Sequence, residues 1–371
     1  MTKEKFLVWL FCGLFGIAFV ANILINPPDY SEEENRYLAK FPEFSFEELF
    51  FGNYTADLEE FIRDRFFARD FWVGLKAGSE VLLQKQENNS VIFGEDGYLM
   101  EDPGVIDEMQ KTENIEKVEA FLQKQESTGK HAYVALVPNA MLAMKDKLPS
   151  SYPINDLWDS VKDLEERETL SPIPLLDAIY AHRDDYIYFR TDHHWTSLGA
   201  YYAYVEICEK MGIAPRDLDE FEKTVISEAF LGTMYSKSGA KWSKPDYVEL
   251  FEVPGMTYSV TLDDTIKSDS MFFTDHLEKK DKYSVFLDGN HALTKIENKN
   301  GNGKKILLVK DSFSHALAPL FAADFSEVHM IDLRYYRGSV SSYMDENRIR
   351  DVVILYGATN FMTDANLSFI R

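Results

Sequence analysis

The 371 residues are 45% hydrophobic and 14% aromatic, enough for one large core with an appended subdomain and too apolar for a disordered chain. A formal net charge of -23, spread along the chain, repels polyanions and argues against nucleic acid as a partner. The two cysteines, Cys12 and Cys208, have no spacing partner for a zinc site or a disulfide framework, so cysteine chemistry is not expected.

From Phe6 to Ile25 the only strongly polar residue is Asn22, and this run predicts one membrane-spanning helix. Lys3 and Lys5 before it and the acidic SEEEN after it place the N-terminus in the cytoplasm and the bulk of the chain outside. A cleaved signal peptide is the rival reading. Its apolar core would be shorter and would end in small residues at an A-x-A site, which FVANILINPP lacks. Pro27 and Pro28 end the anchor. Residues 31–100 are polar and studded with aromatics, with one predicted helix in YTADLEEFIRDRFFARDFWVGLKAGSEVLL. Its Leu58, Phe61, Ile62, Phe66 and Phe67 recur at helical spacing and read as a core stripe.

An alternating pattern begins near residue 114. NIEKVEAFLQKQEST is an amphipathic helix and HAYVALVP a buried strand ending in Pro138 and Asn139. A helix near 156–167, the short run IPLLDAI and a strand DYIYF follow, and SLGAYYAYVEICEKM is a helix closed by Gly212. Between about 213 and 300 the periodicity weakens into short runs such as MTYSVTL and YSVFL, read as a mostly β insertion that NKNGNGKK closes. The α/β pattern resumes with strand KILLVK, helix DSFSHALAPLFAADF, strand VHMIDL, the helix end RIRD, and strand VVILYGATN leading into a loop. Strands separated by single helices predict a parallel sheet covered on both faces, with ligands at the carboxyl ends of its strands. The expected division is a membrane anchor at 1–30, an extracytoplasmic helical and linker region at 31–100, and an α/β domain at 101–371 interrupted by the β insertion.

Three polar sets fall at strand ends. Ser312 follows KILLVK at the start of a helix, where its hydroxyl and N–H meet the positive end of the helix dipole. Serine is also among the commonest helix caps, and the segment lacks the glycines of a nucleophile elbow. In the string Asp192-His193-His194-Trp195, residues two apart face one side, so Asp192 can hold one nitrogen of His194 while His193 points away. The other nitrogen of His194 is then free to take a proton from a hydroxyl such as that of Ser312. Trp195 is expected to pack beneath the loop, and Thr196 or Ser197 to cap the next helix. A metal site competes for these residues, but no spacing among His131, His182, His276, His291, His315 and His329 supplies a third ligand, so none is assigned. A third alternative is that both histidines only pack and cap. His315 is left out of the triad because a helix turns it away from Ser312. Gly357 and Asn360 at a third strand end, with Asn139, are candidates for oxyanion or substrate binding, though an asparagine in a loop is also ordinary turn chemistry. Gly289 and Asn290 read first as a turn.

YFRTDHHWTSLGAYYAY, followed downstream by KKILLVKDSFSHALAPLFAADFSEVHMIDLRYY, resembles the DHHW family of bacterial cell-surface proteins, which is similar to the SGNH-hydrolase-like proteins of alginate O-acetylation. The resemblance runs from about residue 31 to the end and includes ENRYLAKFPEFS, GNYTADLEEFIRDRFFAR and SVIFGEDGYLM. It implies an SGNH-like α/β fold, with Asp192 as orienting acid, His194 as base and Ser312 as nucleophile, and no cofactor. It further implies acetyl transfer or ester hydrolysis on a cell-surface polysaccharide through an acyl-serine, beside a membrane-bound O-acyltransferase. GATN lies where ordinary SGNH esterases carry a G-x-N-D block but does not match it cleanly, and the serine string is K-D-S here. The alternatives are a catalytically inactive carbohydrate-binding or assembly protein and a metal-dependent hydrolase.

Overall fold

The computed structural model describes residues 2–25, 28–31, 36–150 and 152–371; Pro27 and residues 32–35 of SEEEN lie outside the described residues. The chain divides into two compact units, 1–85 with 239–242, and 86–238 with 243–371.

In the first unit a helix spans Lys3–Leu24, and its stretch Lys3–Asn22, with no buried residue, is long and apolar enough to cross a membrane. The single helix predicted after it is two, Asn53–Asp64 and Arg69–Leu82, broken where Ala68 takes a left-handed φ of 52°. Side-chain demands explain the break. Asp64 is buried and accepts from both Arg36 guanidinium nitrogens at 2.8 and 2.6 Å and from Ala39 N–H at 2.8 Å, while the interrupted ladder frees Phe67 N–H to donate to Asn22 Oδ1 at 2.6 Å. The expected core stripe is not one: Ile62 and Phe66 are exposed and Leu58, Phe61 and Phe67 only half-buried.

The second unit is built on one eight-stranded sheet. Its strands are β1 (His131–Val137), β2 (Pro172–Ile173), β3 (Tyr258–Leu262), β4 (Ile266–Ser268), β5 (Leu293–Asn298), β6 (Lys305–Lys310), β7 (Glu327–Ile331) and β8 (Asp351–Gly357). The spatial order is β4-β3-β5-β7-β6-β8-β1-β2. From β7 to β2 all pairs are parallel, whereas β3, β4 and β5 pair antiparallel, so these three strands of the insertion lengthen the sheet, while Glu222–Phe230 and Asp246–Glu252 form a two-stranded sheet of their own.

Alternate residues of the central strands enter two different cores, as the two-residue period of a strand requires. Ala135, Val137, Ile306, Leu308, Val353 and Leu355 join one with helices α2 (Ser197–Lys210) and α3 (Ser314–Asp324). Val134, Leu136, Leu307, Val309, Val352 and Ile354 join the other with α1 (Glu108–Ser127) and α4 (Val340–Asn347). This is the three-layered α/β arrangement expected from the continuous apolar strands.

Three local expectations differ. DYIYF enters no ladder; Tyr188 instead makes an isolated bridge to Trp195, so the DHHW string is the tip of a loop closed on itself ahead of α2. YSVFL is a short 3-10 turn at Tyr283–Val285, because its apolar side chains pack into the core in succession. GATN enters a short helix, Ala358–Thr363. The loop before α2 also needs Gly199, where a Cβ would lie 2.2 Å from the Ile187 carbonyl oxygen.

His329 of β7 is fully buried between Tyr343 Oη at 2.7 Å and Glu327 Oε2 at 3.0 Å. Burial lowers its pKa to about 4 against the opposing pull of Glu327. The unfolded chain therefore binds this proton below 6.5 while the folded chain resists until about 4, so stability is lost as pH falls through that window, by up to about 3 kcal/mol. Urea titrations at pH 7 and pH 4.5 are expected to show a smaller acid loss in His329→Gln than in the wild type. Identical losses would refute the assignment.

Candidate active site

The DHHW loop is held from several sides. Asp246 is buried and accepts from Arg190 N–H at 3.0 Å, Thr191 N–H at 2.8 Å, Thr191 Oγ1 at 2.6 Å and Tyr186 Oη at 2.6 Å. Tyr188 Oη donates to the Pro138 carbonyl at the end of β1. Trp195 is fully buried, as expected, and its indole N–H donates to the Phe313 carbonyl at 2.9 Å, which joins this loop to the turn carrying Ser312. Thr196 is the cap of α2, accepting from Gly199 N–H at 3.2 Å.

Within this frame, Asp192, His194 and Ser312 come together. His194 Nδ1 lies 2.6 Å from Asp192 Oδ1 and Nε2 lies 2.8 Å from Ser312 Oγ. With Nδ1 carrying the proton toward the carboxylate, Nε2 is the acceptor for the serine hydroxyl. Asp192 Oδ1 also accepts from His194 N–H at 3.0 Å, and Oδ2 accepts from Thr233 N–H at 2.8 Å and Thr233 Oγ1 at 2.9 Å. Burial opposes the charge on Asp192, yet His193, His194 and the Thr233 N–H outweigh it and hold the carboxyl well below its usual range.

His193 does not point away as alternation predicted. The string turns, so its ring stacks at a tilt on His194 with centroids 3.7 Å apart, and Nδ1 lies 2.8 Å from Thr233 Oγ1. Because the Thr233 hydroxyl donates to Asp192, His193 Nδ1 is the donor in that pair. On the other side Tyr283 stacks flat on His194, 3.8 Å between centroids and 7° between planes, and its hydroxyl donates to the Ser312 carbonyl at 3.2 Å. The His194 ring is thus clamped between two rings.

Thr233 and Tyr283 both come from the 213–300 insertion, and neither was singled out in the sequence. The nearest signal was Gly232 before Thr233: a Cβ there would lie 2.3 Å from Asp192 Cβ, so only glycine lets this backbone reach the carboxylate.

Ser312 sits in the turn between β6 and α3, half-buried, and among the described residues its N–H donates to no protein group. Gly357 and Asn360 are drawn to the residue before it: Gly357 N–H and Asn360 Nδ2 each donate to Asp311 Oδ2 at 2.8 Å, and Phe313 N–H donates to Asp311 Oδ1 at 3.1 Å. Asn139 caps the helix after β1, accepting from Leu142 N–H at 3.1 Å, and its amide reaches Thr359 Oγ1 at 3.3 Å. His315 belongs to a separate buried cluster, with Lys310 Nζ 2.7 Å from its Nε2 and 3.1 Å from Asp332 Oδ2. Asn290 accepts from Arg334 at 2.9 Å, beside the same Asp332.

Asp192, His193 and His194 offer atoms within 4.8 Å of one another, the one such group among the described residues. Those atoms are already paired with each other and with Thr233. A cation bridging Asp192 and His194 Nδ1 would have to break the 2.6 Å bond that orients the ring. The donor set suits a proton relay better than a metal.

The model of the DHHW protein family matches residues 171–331, a span that holds Asp192, His194 and Ser312. No curated protein matches the chain. Among solved structures, a DHHW family protein from Eubacterium siraeum is 25% identical with a TM-score of 0.65, covering 76% of this chain and 95% of its own. PatB1 from Bacillus cereus, solved with a sulfonyl adduct, is 18% identical with a TM-score of 0.62, covering 76% of this chain and 100% of its own, and shares the fold. The chain is therefore similar to the DHHW proteins over residues 171–331 and shares the α/β fold of the Eubacterium siraeum protein and PatB1.

Proposed function

We propose that this chain is a membrane-anchored, extracytoplasmic SGNH-type enzyme that moves an acetyl group to or from a cell-surface polysaccharide through an acyl-Ser312 intermediate. The observation that carries the reading is the unbroken hydrogen-bond line from Asp192 through both nitrogens of His194 to Ser312 Oγ. His194 Nε2 takes the hydroxyl proton as Oγ attacks the acyl carbonyl, and Asp192 stabilises the imidazolium that forms. The oxyanion is met by the Ser312 N–H in the turn ahead of α3, with the remaining amide hydrogen of Asn360 as second donor, while Gly357 and Asn139 shape the strand ends around the acyl group. Collapse expels the leaving alkoxide, which recovers the proton from His194. Water or a sugar hydroxyl, deprotonated by His194, then attacks the acyl-serine; collapse breaks the acyl–Oγ bond, Ser312 recovers the proton from His194, and the identity of the attacking hydroxyl decides between hydrolysis and transfer.

In this reading the helix Lys3–Leu24 anchors the chain with its N-terminus in the cytoplasm, beside a membrane-bound O-acyltransferase that supplies acyl groups. The test is covalent labelling with an aryl sulfonyl fluoride, followed by mass spectrometry. One adduct on Ser312 is expected, lost in Ser312→Ala and strongly slowed in His194→Ala. A wild-type chain left unlabelled would point instead to an inactive glycan-binding or assembly protein.

Thr233 holds the acid from outside the triad. Thr233→Val keeps the side-chain shape and the backbone bond but removes one donor to a charged carboxylate, so kcat is expected to fall roughly 10- to 100-fold. Thr233→Ser should restore most of it. A valine variant as active as wild type would remove Thr233 from the mechanism.

A further inference from the structure

The first unit carries a band of exposed apolar side chains that its own packing does not use. Ile62, Phe66, Phe71, Trp72 and Leu75 are exposed by 55%, 38%, 62%, 46% and 53%. They flank the break between the helices Asn53–Asp64 and Arg69–Leu82, and the depth of that break is set by a specific contact: Phe67 N–H donates to Asn22 Oδ1 at 2.6 Å. Asn22 lies three residues before the end of the apolar run at residues 6–25. At 1.5 Å per residue that run is roughly 30 Å long, the thickness of a hydrocarbon core. Asn22 therefore falls roughly 5 Å below the level where hydrocarbon gives way to headgroups, and the break is tied to that depth. A second tie, Arg65 Nη2 to Asp29 Oδ1 at 2.6 Å, holds the same turn to the segment leaving the helix.

We infer that the Phe66–Trp72 turn is seated in the interfacial layer of the lipid bilayer, on the face where the Lys3–Leu24 helix emerges. This rests on that helix crossing the membrane. Tryptophan favours this layer because its ring is apolar and its N–H polar; here the Trp72 N–H is satisfied by the Phe67 carbonyl at 3.0 Å and its ring is left to the lipid. The exposed Arg63 adds a cation suited to lipid phosphate in a chain that is otherwise acidic. The turn then acts as a second foothold, fixing the first unit against the membrane where a lone helix would let it swivel.

The test uses the full chain in vesicles of phosphatidylcholine and phosphatidylglycerol, with lipids brominated either near the carboxyl end or near mid-chain. Subtracting the emission of Trp72→Phe from that of wild type isolates Trp72, and Trp9→Phe isolates Trp9 in the helix. Trp72 emission is expected to be blue-shifted and cut roughly twofold by the shallow bromines, with less effect from the deep ones. Trp9 quenched with Trp72 unquenched would overturn the interfacial turn alone. Neither quenched would overturn the membrane helix, and this inference with it.

Discussion

Ser312→Ala is expected to lower kcat/KM on a chromogenic acetyl ester by roughly four to six orders of magnitude, and His194→Ala by a similar amount. In the proposed acyl-serine mechanism the two side chains act as one unit: without the 2.8 Å contact from Nε2 the hydroxyl would be a poor nucleophile, and without the hydroxyl His194 would have nothing to activate. The double variant should therefore be no worse than either single one. Steady-state kinetics on all three, with thermal unfolding to show that each is folded, make the check. A Ser312→Ala protein turning over as fast as wild type would end the acyl-serine reading. Additive losses in the double variant would separate Ser312 from His194.

Asp192→Asn is expected to lower kcat by roughly 10⁴-fold with little change in KM, the size such a change has in a comparable triad. All four groups around this carboxylate donate to it: His194 N–H, His194 Nδ1, Thr233 N–H and Thr233 Oγ1. An asparagine must turn its NH2 toward one side. Facing His194, it becomes a donor to Nδ1 and drives the ring proton to Nε2, where it blocks acceptance from Ser312. Facing Thr233, it sets donor against donor in a buried site, which also costs stability. The rate of sulfonyl labelling should fall in step with kcat. A variant within tenfold of wild type would show that the carboxylate does not set the tautomer.

Periodicity carried the parallel sheet well, because strands buried on both faces read as unbroken apolar runs such as KILLVK and VVILYG. It failed where another force overrode it. The helix through FIRDRFFARD was broken by the buried Asp64 and by the freed Phe67 N–H, which needed partners from Arg36, Ala39 and Asn22. DYIYF alternates like a strand, yet its backbone is spent on closing the DHHW loop. His193 was read as turned away because an extended chain was assumed, and the turn brings its ring back over His194.

Local spacing alone offered Asp192 and His194 as partners, beside a metal site and plain packing, since residues two apart can face one side of the chain. It also placed Ser312 at a strand end, because an apolar strand followed by a helix is a local pattern. Folding alone decided the rest. The His194–Ser312 contact spans 118 positions and depends on the Trp195–Phe313 bond and on β6 lying beside β8. The roles of Gly232, Thr233 and Tyr283 likewise depend on how the insertion is carried, the first two after strand Glu222–Phe230 of a hairpin with Asp246–Glu252 and the third between the antiparallel strands β4 and β5. Beyond the lone Gly232, no local pattern signals Thr233 or Tyr283, because each is ordinary in its own segment and gains its place only from packing across the chain.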